Sequence, residues 1–431
     1  MNDSNETYGI TIADYGVPRD GRSDASAGIQ AALDAGAPLV YVPYGAYRID
    51  KGLLLSSHTR LVVHPEARLF LADGAGRRAT DFLLSNRDPD KGNENIVVSG
   101  GIWDGNNRNN PRGREGDLDA YTGTMINMKN VRGLELRDMR LQDSTAYFTR
   151  FTRVSQFRVE RIQFQITHVT RNQDGIHCAG YCEDGEIHDI AGYGVYTTGD
   201  DLVALNADDA LLRSELLGAE AGPIRRLHIS NLRADDCHSF VRMASIWAEI
   251  SDIDIRGVVG GCRNMALNAD ALRYCRVPLF DSRDPAYANG VGMLRNIRFA
   301  DAQVHKTGAD KHPLFCLESR LDHFRLVNIR RDMERDTCPE APLLAIRNVQ
   351  QGRLTAEYRA RDLVKDERLS SWRNVVAGEP YVRQEARATM DAFVIPDSDH
   401  IVDLLAGEPV VHDLPPANNR VGLVSSPQCS H

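Results

Sequence analysis

In the stretch TGDDLVALNADDALL, Thr198 to Leu212, the aspartates Asp200, Asp201, Asp208 and Asp209 bracket a run, Leu202 to Leu205, that is apolar enough for a buried strand. Adjacent carboxylates repel one another and resist burial, so two of them beside a core strand either decorate a turn or build acid/base chemistry. A further aspartate, Asp174, lies 27 residues before Asp201, in RNQDGIH. Carboxylates brought together cannot all ionise freely. At least one is pushed to keep its proton near neutral pH and can act as a general acid, while an ionised neighbour can activate water.

What would bring them together is a repeat. Apolar side chains at Leu134, Leu136, Met139 and Leu141 recur at Phe157, Val159, Ile162 and Phe164, each displaced by 23 residues. The spacing returns at Ile187 and Ile190, at Leu227, Ile229 and Leu232, at Ile253, Ile255 and Val258, at Ile297, Phe299 and Val304, and at Phe324, Leu326 and Ile329, with an earlier copy at Ile96, Val98 and Trp103. Short alternating strands bounded by Gly, Asn and Asp turns, repeating every 20 to 50 or so residues without a helix in each unit, predict a parallel β-helix: an all-β solenoid with one continuous core. Asp174 and Asp201 are 27 apart against a local displacement of 28, Val159 to Ile187, so they should fall at near-equivalent points of adjacent coils. Two larger displacements, 42 and 44, predict insertions at 208 to 223 and 275 to 292.

SDASAGIQAALDAG reads as one short helix, with Ser23 or Asp24 as N-cap, an apolar face at Ile29, Ala32 and Leu33, and Gly36 as its stop. It would cover the open end of the solenoid. The expected organisation is one domain: a cap over 1–50, the parallel β-helix over 51–350, and last coils or an extension over 351–431.

Composition removes several function classes. Net charge is −9 and Arg and Lys are scattered, so no nucleic-acid partner is expected. No stretch approaches a membrane span and the first residues lack a signal-peptide pattern, so a cytoplasmic location without membrane contact is expected unless a signal was removed. Eight cysteines with one close pair, Cys178 and Cys182, read as reduced buried thiols, and no metal or cofactor is expected. Trp103, Trp247 and Trp372 are available for sugar stacking.

Several motifs now point one way. GVPRDGRSDASAGIQAALDAG followed by VYVPYGAYRI resembles the N-terminal segment of the pectate-lyase-like β-helix superfamily, and GGIWDGNN resembles a polygalacturonase Gly-x-Ile-Asp-Gly motif. Asn172-Gln173-Asp174-Gly175 is similar to the Asn-Thr-Asp-Gly of glycoside hydrolase family 28, and Gly199-Asp200-Asp201 to its Gly-Asp-Asp. The resemblance, over roughly residues 8 to 330, implies a right-handed β-helix with a short capping helix, and an inverting glycosidase acting on a pectin-related or other carbohydrate. By motif, Asp200 would be the general acid, Asp174 and Asp201 would activate water, and Asn172 and His177 would stand at the substrate. Inversion requires about 6.5 to 9.5 Å between acid and base, which carboxylates on two coils could supply.

The chain also departs from that pattern. Where the family has Gly-His-Gly, this chain has Asp236-Cys237-His238-Ser239, so His238 has the right type and a plausible coil without the glycines. The family's uronate-binding Arg-x-Lys aligns with Ala266 and Asn268, leaving Arg242 or Arg263 to take the role, unless both are solvated strand-edge residues. Asp208 and Asp209 read as a solvated turn, since ALNAD recurs at 266 to 270. Two other readings stay open: a calcium-dependent polysaccharide lyase on the same scaffold, and a non-catalytic glycan-binding or structural β-helix, monomeric or oligomeric, with a trimer as one form.

Overall fold

The computed structural model describes residues 9–114, 117, 119–208, 219–245, 248–270, 292–319, 321–341, 343–346 and 349–351, and the backbone of 371–377, 383–387, 400–405 and 408–413. Of the predicted insertions, 209–218 and 275–291 lie outside these residues, as do Asp209, Trp247, Cys275, Cys429 and the segment 355–363.

Strands pair in parallel from coil to coil, with the register that the apolar repeat implied. Leu134 faces Phe157 and Leu136 faces Val159. Val159 then faces Ile187, Ile187 faces Ile229, Ile229 faces Ile255, Ile255 faces Phe299, and Phe299 faces Leu326. These side chains are buried in one continuous apolar core. Each fully buried aliphatic or aromatic side chain contributes about 1.5–3 kcal/mol, and a misregistered strand would turn its whole set outward. One anchor shifts: Val304 pairs with Gly260 and Arg331, and Ala302 takes the place opposite Val258. Gly185 is required by packing, because a Cβ there would lie 2.2 Å from the Phe157 ring.

The corners are built from left-handed residues in two columns. One holds Asn95, Gly133, Gln156, Asp184, Arg226, Asp252 and Asn296; the other holds Gly100, Asp138, Arg161, Asp189, Asn231, Gly257 and Asp301. Asn, Asp and Gly visit this region at low cost, which is why they punctuate the repeat. Side chains rung the columns: Asn231 Nδ2 donates to Asp189 Oδ1 at 3.0 Å, and Asn296 Nδ2 to Asp252 Oδ1 at 2.7 Å. Within each coil the two columns stand five residues apart, from Gly133 and Asp138 through Asn296 and Asp301.

The helix Ser26–Asp34 buries Ile29, Ala32 and Leu33, as its pattern predicted. The cap residue is Ala25 and not Ser23 or Asp24, and Asp24 supports the start from one residue earlier, with Oδ1 accepting from the Ser26 amide at 2.9 Å. Within residues 1–50, parallel pairing has already begun, Ile10 with Val40 and Ala46 with Arg68. At the other end, Phe324–Val327 pairs antiparallel with Ile401–Leu404, which in turn pairs with Glu408–Asp413. His400–Leu405 and Glu408–Asp413 thus form an antiparallel pair that covers the edge of a late coil, an edge that would otherwise template further pairing.

Trp103 is fully buried and donates to Gly100 O at 3.0 Å, so it packs the core instead of meeting a sugar. Cys178, Cys182, Cys237, Cys262, Cys316 and Cys338 are free and buried. No helix among the described residues is long and apolar enough to cross a membrane.

Candidate active site

The aspartates are positioned by the register between coils. Ile176 faces Val203 and His177 faces Ala204, a displacement of 27, and the Gly175 amide donates to Asp201 O at 2.9 Å. Asp174 and Asp201 therefore occupy equivalent places one coil apart, about 4.8 Å in height. Gly175 permits the approach, since a Cβ there would lie 2.5 Å from Leu202 O. Gln173, in place of the family's Thr, is fully buried; its amide donates to Ser144 O at 2.7 Å and accepts from the Thr170 amide at 2.7 Å, pinning the loop before Asp174.

Two carboxylate–imidazole pairs result. His177 Nδ1 lies 2.6 Å from Asp174 Oδ2, and the His177 ring stacks on Tyr147 with centroids 3.9 Å apart. His177 is fully buried, so it holds Asp174 in place and does not stand at the surface where a substrate would lie. On the next coils, Asp201 faces Ser239, and His238 Nδ1 lies 3.3 Å from Asp200 Oδ1 and 3.8 Å from Asp201 Oδ1. His238, which lacks the flanking glycines of the family pattern, is brought to the carboxylates all the same.

The electrostatics follow from this packing. Burial and the neighbouring Asp200 carboxylate raise the Asp201 carboxyl above the usual range, against the opposing pull of His238 and Arg242. For His238, burial works against the charged ring, but the carboxylates of Asp200 and Asp201 more than offset it and push the imidazole up to about 10. A raised His pKa contributes stability that is complete below about 6.5 and is lost as the pH climbs through the folded value. We expect the His238 ring to remain an imidazolium at pH 8, read from its nitrogen shifts by NMR; a ring titrating near 6.5 would break the cluster as described.

Asp200, Asp201 and His238 carry ligand atoms within 4.8 Å of one another and could hold a cation. The donor set suits calcium poorly, because calcium takes six to eight oxygens and a protonated imidazole offers no lone pair.

The other predicted residues take different places. Arg242, nearly buried, faces Ala204 and Asn268, beyond Asp201 along the strand. The displacement in this sheet is 38, against the 42 of the anchors, because part of the extra length lies between the strands. Arg263 Nη2 pairs with Asp236 Oδ2 at 2.6 Å and its guanidinium lies 4.3 Å from the Tyr196 ring centroid, so it ties a loop. Asn172 accepts from Arg112 Nη2 at 3.1 Å. Ala266 and Asn268, at the family's charged clamp, are buried and uncharged. Asp208 is not a solvated turn residue: it is 1% exposed, and its Oδ2 accepts from the Ala248 amide at 2.5 Å, closing the gap between two coils.

Tyr147 and Arg150 were not anticipated. Thr149 faces Ile176 and Arg150 faces His177, again displaced by 27. The signal was in the sequence: stepping back 27 residues from Asp174 lands on Tyr147.

A profile of the family described as Rhamnogalacturonase A/epimerase, pectate lyase-like matches residues 9–107. The pre-neck appendage protein of Bacillus phage phi29 is 29% identical over 147 residues, 34% of this chain and 17% of that protein, so the match spans under a fifth of the relative. Among solved structures, the family 28 exopolygalacturonase of Yersinia enterocolitica is similar with a TM-score of 0.58 at 16% identity, covering 79% of this chain and 68% of that one. The surface adhesin PfbA of Streptococcus pneumoniae is similar with a TM-score of 0.53 at 12% identity, covering 94% and 98%. Similar folds thus include both a polygalacturonase and an adhesin. In fold the chain is a right-handed parallel β-helix, similar over residues 9–107 to the pectate lyase-like family of that profile and in architecture to the family 28 exopolygalacturonase.

Proposed function

We propose that the chain is a glycosidase that hydrolyses an oligo- or polysaccharide with inversion. The observation that carries this is the convergence of Asp174, Asp200, Asp201 and His238 from three non-contiguous stretches of chain, on three successive coils. Turn residues of a purely structural β-helix have no need to share a buried proton. The resemblance gives Asp200 the acid role; burial and the Asp200 charge raise the affinity of Asp201 for a proton, so the Asp200–Asp201–His238 cluster acts as the proton donor as a unit. Asp174, oriented by His177, is the carboxylate that activates water. Arg242 lies close enough to influence Asp201, from the next coil.

With the charged clamp replaced by Ala266 and Asn268, the sugar at the cleavage point is held by amide and hydroxyl hydrogen bonds together with Arg242. Incubation with a panel of plant and bacterial oligosaccharides, with and without a chelator, should release fragments that gain one water by mass spectrometry, insensitive to chelation. A fragment lighter by one water and dependent on a cation would make the site a lyase. No turnover across a broad panel would favour a glycan-binding or adhesive role, such as the similarity to the pneumococcal adhesin suggests.

A further inference from the structure

A second row of side chains crosses the coils on another face of the solenoid. Arg140 faces Gln163, Gln163 faces Ala191, and Ala191 faces Arg233, in strand segments separate from those that carry the aspartates. They line a groove of about 500 Å³, with Tyr193 at its side. Arg140, Gln163, Tyr193 and Arg233 are all exposed, Tyr193 by 50%. The small Ala191 leaves the floor between the two arginines open.

The charges in the wall are unequally satisfied. Asp138 takes Arg161 Nε at 2.6 Å, Arg161 also pairs with Glu160, and Asp189 takes His188 and Asn231. The side chains of Arg140 and Arg233, by contrast, make no hydrogen bond or ion pair among the described residues. A chain of net charge −9 therefore presents two uncommitted guanidinium groups in one groove, three coil steps or about 14 Å apart.

We infer that this groove binds an anionic oligosaccharide, one that carries carboxylate or sulfate groups at intervals, along the solenoid axis. Guanidinium groups recognise both anions through paired N–H donors. A single small anion cannot bridge the separation, whereas a chain with spaced charges can. Tyr193 offers an aromatic face to a sugar ring and Gln163 offers amide donors and an acceptor between the two cations. The acidic balance of the molecule and the wide spacing of the cations disfavour nucleic acid, whose phosphates are closely spaced and call for a continuous basic stripe.

The test is affinity electrophoresis of the full chain through gels holding polygalacturonate, a sulfated galactan, neutral dextran or duplex DNA. Retardation by an anionic glycan is expected, weakened at least fivefold in Kd by Arg140→Ala/Arg233→Ala and by less in Arg140→Lys/Arg233→Lys. Retardation in polygalacturonate and not in the sulfated gel would identify carboxylate as the group read, and the reverse would identify sulfate. The variant Arg60→Ala/Arg132→Ala removes the same charge from other exposed positions and should retain binding. Equal weakening by both double variants, no retardation of the wild type, or equal retardation by DNA would overturn the assignment. Melting temperatures confirm that the variants fold.

Discussion

Replacing Asp201 with asparagine is expected to lower turnover of a cleaved glycan by about 10²–10⁴-fold, the range for loss of a positioned proton-transfer group. The same change should leave the melting temperature at neutral pH unchanged or raised. The sign follows from the raised Asp201 carboxyl. A carboxyl whose folded pKa lies above its unfolded value costs the fold nothing at low pH and destabilises it as the pH rises past the unfolded value. Asparagine removes that cost along with the proton. Product release and thermal melting measured on one preparation separate the two effects. A variant that keeps full turnover, or one that melts far below the wild type, would show that Asp201 is a structural turn residue and not part of the chemistry.

The largest expected loss of stability lies elsewhere. Arg331 and Asp336 form a fully buried ion pair, with Nε to Oδ2 at 2.8 Å and Nη2 to Oδ1 at 3.0 Å. The remaining guanidinium capacity goes to Ala341 O at 2.6 Å and Cys338 O at 2.7 Å, while Asp336 also accepts from the amides of Lys306 and Cys338. Asp336→Asn leaves a buried guanidinium without its counter-charge and should cost about 3–5 kcal/mol; replacing both partners by apolar residues of similar volume should cost far less. Urea unfolding of the two variants reads the difference, and a cost below 1 kcal/mol for Asp336→Asn would contradict the described burial. Burial opposes the charge on Asp336, but Arg331 and the backbone amides hold its carboxyl below the usual value of 3.8. The stabilisation is thus complete above that value and is lost as the pH falls below it.

Much of this architecture was legible because a solenoid writes its register into the sequence. Anchors such as Leu134, Phe157, Ile229 and Ile255 each face core, so the spacing of apolar residues is the spacing of coils. The carboxylate cluster was legible for the same reason, Asp174 and Asp201 being separated by one coil. What could not be read was the direction and depth of single side chains. His177 and Arg263 looked like surface groups beside a cleft, yet one is stacked on Tyr147 and the other is held by Asp236. Asp208 looked like a turn residue and is a buried acceptor, because only the folded chain places the Ala248 amide against it. Trp103 had no signal separating a core ring from a binding ring.

The two corner columns also divide the molecule into a part that keeps count and a part that does not. Between them every coil spends the same number of residues, while the return path varies: 23 residues from Arg161 to Asp184, 37 from Asp189 to Arg226, 39 from Gly257 to Asn296. The candidate active site stands on that return path. Descendants of such a chain can lengthen or exchange segments at the mouth of the site without shifting the register of a single core residue, so new substrate preferences can arise while the fold's own repeat stays intact.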